Sequence, residues 1–135
     1  MSGRMIGQKR AEDALSCARA LVRHGINLGK YRAYVDRLGP AIVMNGLGQA
    51  LATERAAAGS KSERKPDQEA HWRLYSSLQR WLCGEGGVYG GGDLLTAIIK
   101  GDQQLYVRAQ AEALAWLEWH KKFCRALLPK TEGGE

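Results

Sequence analysis

Apolar side chains recur every three or four residues along most of this 135-residue chain, and no well-bounded segment shows the period-two alternation of a half-buried strand. The periodicity predicts an all-α fold, a compact bundle of about six helices. Ala11, Ala14, Leu15, Ala18, Leu21 and Val22 form one stripe of a first helix running from Met5 to His24, with Gly25 as its stop. Tyr31, Tyr34, Val35 and Leu38 form a short second helix ended by Gly39-Pro40. Pro40 then suits the first turn of a third helix reaching Ala58, whose inner stripe is Val43, Gly46, Leu47, Ala50 and Leu51. Asp67 is the expected cap of a fourth helix carrying Trp72, Leu74, Tyr75, Leu78, Trp81 and Leu82. Asp93 and Asp102 are the caps expected for a short fifth helix and a long sixth one, which presents Leu105, Tyr106, Ala109, Ala113, Trp116, Leu117 and Phe123 and ends near Pro129.

A chain of this length makes one domain, so residues 1–135 are expected to share a single core. Two breakers interrupt the helical pattern. Residues 59–66 (GSKSERKP) lack large apolar groups and read as an exposed loop; residues 84–92 (GEGGVYGGG) are too glycine-rich to be regular. No Lys-Ser or Lys-Thr follows those glycines in phosphate-loop register, so the stretch reads as a connector, with Tyr89 able to anchor it onto the body. Residues 130–135 are expected to fray.

The chemistry of enzymes and metal sites is hard to find. Cys17, Cys83 and Cys124 are odd in number, widely spaced and form no CxxC, which argues for a reducing, cytoplasmic setting. His120 and Cys124 share a face at i, i+4, half of a metal site whose other half is missing, so no metal and no cofactor are expected. The acids are scattered, and no nucleophile has a base at recognisable spacing, so no catalytic residues are assigned. The basic N-terminus runs into Ala11, Glu12 and Asp13 instead of an apolar segment, and the uncharged stretch 38–53 is too short and too polar to span a bilayer; neither a secretory signal nor a membrane segment is expected.

Charge is more informative. Twenty Lys and Arg against fourteen Asp and Glu leave the chain at +6, with most of the excess before residue 61, which favours an anionic partner. Arg19 and Arg23 lie i, i+4 on the outer face of the first helix with no acid three or four residues away; Lys30 and Arg37 follow on the second; Lys121, Lys122 and Arg125 cluster late in the sixth. Glu118 stands where it can pair with Lys122. The third helix carries no charge over most of its length. Its outer positions Asn45, Gly48 and Gln49 therefore belong either to the middle of the bundle or under a neighbouring subunit.

At these residues a family resemblance becomes usable. Tyr31-x-x-Tyr-Val-x-x-Leu38, Gly39-Pro40-Ala-Ile and Asn45-Gly-Leu-Gly-Gln-Ala-Leu-Ala52 resemble the N-terminal signature of the small helical subunit of type III-B (Cmr) CRISPR effector complexes. Tyr106, then Glu112-Ala-Leu-Ala-Trp-Leu117 and Trp119-His-Lys-Lys-Phe-Cys124, are similar to that family's final helix, with His120, Cys124 and Thr53 as departures from the pattern.

The resemblance implies a non-catalytic subunit for antiviral RNA silencing. Several copies would stack beside the backbone subunits that hold the guide RNA, and with the Cas10-type large subunit they would line the channel for target RNA. On this reading Arg19, Arg23, Lys30, Arg37, Lys121, Lys122 and Arg125 are the expected RNA contacts, and Asn45, Gly48 and Gln49 the expected subunit interface. Two alternatives stay open: a freestanding helical nucleic-acid-binding protein, and a metal-dependent nuclease whose scattered acids converge in space.

Overall fold

The computed structural model describes residues 5–24, 26–85 (without the Glu85 side chain) and 87–130. Six α-helices follow in order: α1 (Ile6–Leu21), α2 (Leu28–Asn45), α3 (Leu47–Ala58), α4 (Pro66–Arg80), α5 (Leu94–Lys100) and α6 (Gln103–Leu127). There is no strand among the described residues, as the periodicity requires. The Gly25 stop and residues 131–135 of the expected frayed tail lie outside them.

The long α6 is the axis on which the bundle is built. Its inward stripe, Ala109, Ala113, Trp116, Leu117, His120 and Cys124, is buried against α1 on one side and α2 on the other. Contacts from α1 to α6 join Arg10 to Glu112, Asp13 to Trp116, Ala14 to His120 and Cys17 to His120, so the two helices run parallel and in step. Tyr31 meets His120 near the start of α2, while Leu47, just past the end of α2, meets Gln110, so α2 runs antiparallel to α6. Helices α3 and α4 pack on each other and on α2, closing the core over Leu51, Leu74, Tyr75 and Leu78.

The helix break expected at Gly39-Pro40 is not there: α2 runs through Pro40 and stops at Asn45. A proline inside a helix costs about 3 kcal/mol. That cost is carried because Leu38 and Ile42, on either side of Pro40, are both buried. The break falls at Gly46, whose φ of 90° and ψ of 156° suit glycine alone. Gly46 is therefore a helix boundary and not part of one continuous inner stripe, and Val43, expected in the same stripe, is 68% exposed. The start of α3 has no side-chain cap of its own; Gln110 Oε1 accepts from Leu47 N at 2.9 Å and Tyr106 Oη from Gly48 N at 3.1 Å.

Asp93 and Asp102 cap α5 and α6 as expected, accepting from Thr96 N and Leu105 N. Asp67 does not cap α4. Pro66 takes the first helical position, Gln68 Oε1 accepts from Lys65 N, and Asp67 instead receives the Tyr34 hydroxyl at 2.7 Å. In the loop before it, a short 3-10 turn (Lys61–Glu63) leads to Arg64, which is drawn inward over the Trp72 ring at 4.3 Å. After α4 a wide turn (Trp81–Glu85) leaves helical geometry at Gly84, and the chain returns at Tyr89, buried, whose N–H reaches Leu82 O at 3.0 Å. The glycine-rich stretch is thus a connector anchored by its tyrosine.

Candidate nucleic-acid interface

The interior polar groups are turned toward one another. His120, with no exposed surface, places Nδ1 at 3.0 Å from Ala14 O and Nε2 at 2.7 Å from Tyr31 Oη. A carbonyl can only accept, so Nδ1 carries the proton, Nε2 is the bare nitrogen, and the Tyr31 hydroxyl donates to it. Cys124 Sγ at 3.5 Å and Cys17 Sγ at 3.9 Å flank the same nitrogen, and Cys17 also meets Ser77 Oγ at 3.1 Å. Burial brings the His120 pKa down to about 4 and pushes both thiols up. The ring is neutral and the sulfurs stay protonated, which suits a packed polar knot better than nucleophilic chemistry. Among the described residues no group of three or more His, Cys, Asp or Glu side chains is placed to hold a metal ion.

Two further knots tie α1 to α4 and α6. Arg10 grips Glu112 at 2.6 and 2.8 Å, and Trp81 Nε1 donates to the same carboxylate at 2.8 Å. Burial alone would raise the Glu112 pKa, but the hydrogen bonds from Arg10 and Trp81 outweigh it and hold the carboxyl below its usual range. Asp13 plays the matching part, accepting from Arg80 at 2.6 Å and from Trp116 Nε1 at 2.9 Å. Neither ion pair can be read from the sequence, because the partners lie 67 and 102 positions apart. An acid next to a base at i, i+4 is visible in a sequence; one across a bundle is not.

The seven bases expected to meet RNA do not form one patch. Arg19, on the outer side of α1, and Arg23, in the turn that follows it, are exposed, and neither side chain makes an ion pair or hydrogen bond with another described residue. The step between α1 and α6, about 103 residues in the contacts of Asp13 and Cys17, brings Arg19 level with Lys122, and Arg23 follows in the turn after α1. Lys121 and Lys122 share Glu118 at 3.4 and 3.6 Å, both on the surface. Arg125 faces the other edge of α6, where it pairs with Asp36 of α2 at 3.3 Å. Lys30 and Arg37 turn toward α4: Lys30 lies 3.7 Å from Asp67, and Arg37 sits over the Tyr34 ring, itself stacked at 3.8 Å on His71. His71 Nδ1 in turn meets Glu54 at 2.9 Å, linking α2, α3 and α4. Tyr31 and Tyr34 are buried, as core packing requires.

Of the interface positions, Asn45 and Gln49 are exposed, whereas a side chain added at Gly48 would approach Ile98 at 3.6 Å and Tyr106 at 3.8 Å, both of this chain. The more apolar surface lies beside them. Val43 and Met44 (83% exposed) open onto a groove of about 490 Å³ between α2 and α6, floored by Val35, Leu114 and Leu117. At Gly39 an added Cβ would meet nothing within 4 Å, which keeps the groove open. No helix among the described residues is long and apolar enough to cross a membrane.

Residues 6–127 match the family model described as CRISPR-associated protein (Cas_Cmr5). The chain is also similar to a crystal structure of a CRISPR-associated Cmr5 family protein from Thermus thermophilus, with a TM-score of 0.72 and 29% identity over 93% of this chain and 100% of that one.

Proposed function

We propose, from the premise that this chain belongs to the CRISPR-associated Cmr5 family, that it is the non-catalytic small subunit of a type III-B effector complex, stacked in several copies along the backbone and holding target RNA through phosphate contacts. The observation that supports this is the division of its charged groups. His120, Glu112, Asp13 and Arg10, and Arg80 at the surface beside Asp13, are consumed by protein partners. Outside, Arg19 and Arg23 are not, and Arg19 stands level with the basic end of α6. Phosphate contacts carry no sequence information, which suits a subunit whose complex must accept any target its guide matches.

In this reading Arg19 and Arg23 are the principal RNA contacts. Lys121, Lys122 and Arg125 can join them once RNA phosphate competes with Glu118 and Asp36, and Lys30 and Arg37 follow the strand on the α2 side. Copies of the chain, the backbone subunits and the Cas10-type large subunit meet it at Asn45, Gln49 and the adjoining Val43 and Met44, with Gly48 setting the shape of that edge.

The test is target-RNA affinity of the reconstituted complex at several salt concentrations. Arg19→Glu with Arg23→Glu should weaken binding and lower the slope of log K against log salt by about 1.4, at roughly 0.7 per single-strand contact. An unchanged affinity and slope with assembly intact would show these residues to be solvated surface. Met44→Glu separates the second part: loss of assembly at an unchanged melting temperature supports the interface, and intact assembly removes it. Labelled RNA with added divalent metal, left uncut by the purified protein, is the outcome expected of a non-catalytic subunit.

A further inference from the structure

The four tryptophans of the chain are used in different ways. Trp81 and Trp116 are buried, each with its indole N–H on a carboxylate. Trp72 is held between Arg55 and Arg64, at 5.2 and 4.3 Å. Trp119 is 41% exposed, and its indole N–H has no partner among the described residues. Its ring neighbour is Phe123, one turn on, stacked at 5.7 Å with planes 19° apart. A large ring braced by a second one loses little freedom when a third stacks on it.

The position of that ring is set by the helix. Glu112, which pairs with Arg10 of α1, precedes Trp119 by seven residues, so the two share nearly the same azimuth on α6 and Trp119 lies on its α1 side. Arg19 stands level with Lys122, and Arg23 follows it in the turn after α1. Glu118, the acid next to the ring on α6, is already shared by Lys121 and Lys122. Arg19, Arg23, Lys121 and Lys122 outnumber Glu118 and the exposed Glu12 of α1 on this flank, so the surroundings of the exposed indole are net positive, which is complementary to a polyanion that also carries aromatic rings.

We propose that Trp119 is a stacking platform for an unpaired base of single-stranded RNA, whose flanking phosphates are met by Arg19, Arg23 and Lys122. The proposal deepens the RNA-surface reading and rests on it. Stacking is tolerant of sequence because every base has a π-face, so the contact adds affinity without restricting the target. It also gives the surface a preference that phosphate contacts lack, for unpaired over duplex RNA.

The experiment labels the protein with 5-fluorotryptophan, which gives one fluorine resonance per tryptophan, assigned with Trp119→Phe. Decaadenylate at low salt is titrated to millimolar concentration, with a blunt RNA duplex as control and backbone amides followed in parallel. The expected result is movement of the Trp119 resonance alone of the four, more with decaadenylate than with duplex, and at least about fivefold weaker binding by Trp119→Ala. Trp119→Phe, which keeps an aromatic face, should restore much of that affinity. If the Arg19 and Arg23 amides respond while the Trp119 resonance stays still, stacking is wrong and the phosphate reading survives. If neither responds, both fail. If Trp119→Ala prevents assembly of the complex but leaves decaadenylate binding unchanged, the ring packs on a protein neighbour and the proposal is overturned.

Discussion

Trp119 and His120 are consecutive residues of α6 with opposite surroundings. His120 has no exposed surface and meets a carbonyl, a hydroxyl and two thiols; Trp119 is 41% exposed and touches one other ring. A turn of 100° per residue is enough to put one in the core and the other at the surface. In an all-helical chain without a catalytic motif, this contrast separates the groups that hold the fold from those free to bind. Apart from the Tyr89 hydroxyl, buried without a hydrogen-bond partner among the described residues, polar groups on the inward side are matched to protein partners and serve the fold, whereas unmatched cations and an unmatched indole on the outward side are free for something else.

Truncating each of the two neighbours tests the contrast most severely. His120→Ala leaves the Tyr31 hydroxyl and Ala14 carbonyl without their partner and opens a cavity, and should cost about 3–5 kcal/mol by chemical denaturation. Trp119→Ala should cost less than about 1 kcal/mol, typical of a partly exposed site. Equal losses would mean that the outward face is structural too.

Acid sharpens the same contrast. The folded pKa of His120 lies near 4 against 6.5 for an unfolded histidine. The unfolded chain therefore takes up a proton first, so the contribution is present above pH 6.5 and is lost as pH falls toward 4, by on the order of 3 kcal/mol. Denaturation curves between these pH values should be steeper in pH for the wild type than for His120→Leu; parallel curves would show that the ring is not the titrating group.

Two glycines extend the rule to the backbone. Gly46 has positive φ, and a Cβ there would come within 3.0 Å of Tyr106 Oη, so Gly46→Ala should destabilise by about 1–2 kcal/mol. Gly39 is within α2 and faces open space, so Gly39→Ala should stabilise the isolated protein by about 0.5–1 kcal/mol in a thermal melt. A loss at Gly39 would mean that the groove closes in solution. The smallest effect is expected from Arg19→Glu with Arg23→Glu, within about 0.5 kcal/mol of wild type in stability, because neither arginine has a partner to lose among the described residues.

Legibility follows the range of each interaction. Helical periodicity, the Asp93 and Asp102 caps and the Tyr89 anchor are local patterns and can be read directly. The α2 boundary is misplaced by local reading because Gly39-Pro40 is a strong stop signal, overridden by burial of Leu38 and Ile42. The stripe from Val43 to Leu51 conceals the real break because α3 resumes with Leu47 buried immediately after Gly46. On the surface, exposure and the absence of a local acid single out Arg19 and Arg23, while the partners of Lys30, Arg37 and Arg125 come from other helices or from a ring on the same one.

The all-α class, the excess of positive charge and the family follow from the order of residues alone, since these rest on periodicity, composition and short motifs. Which charges are spent depends on how the helices pack. Arg10 and Arg19 look alike as letters, but α6 brings Glu112 to the first and no acid to the second. The reason is physical: helical spacing fixes which side of its own helix a residue occupies, whereas the partner it finds there depends on how separate helices pack, through contacts between residues a hundred positions apart.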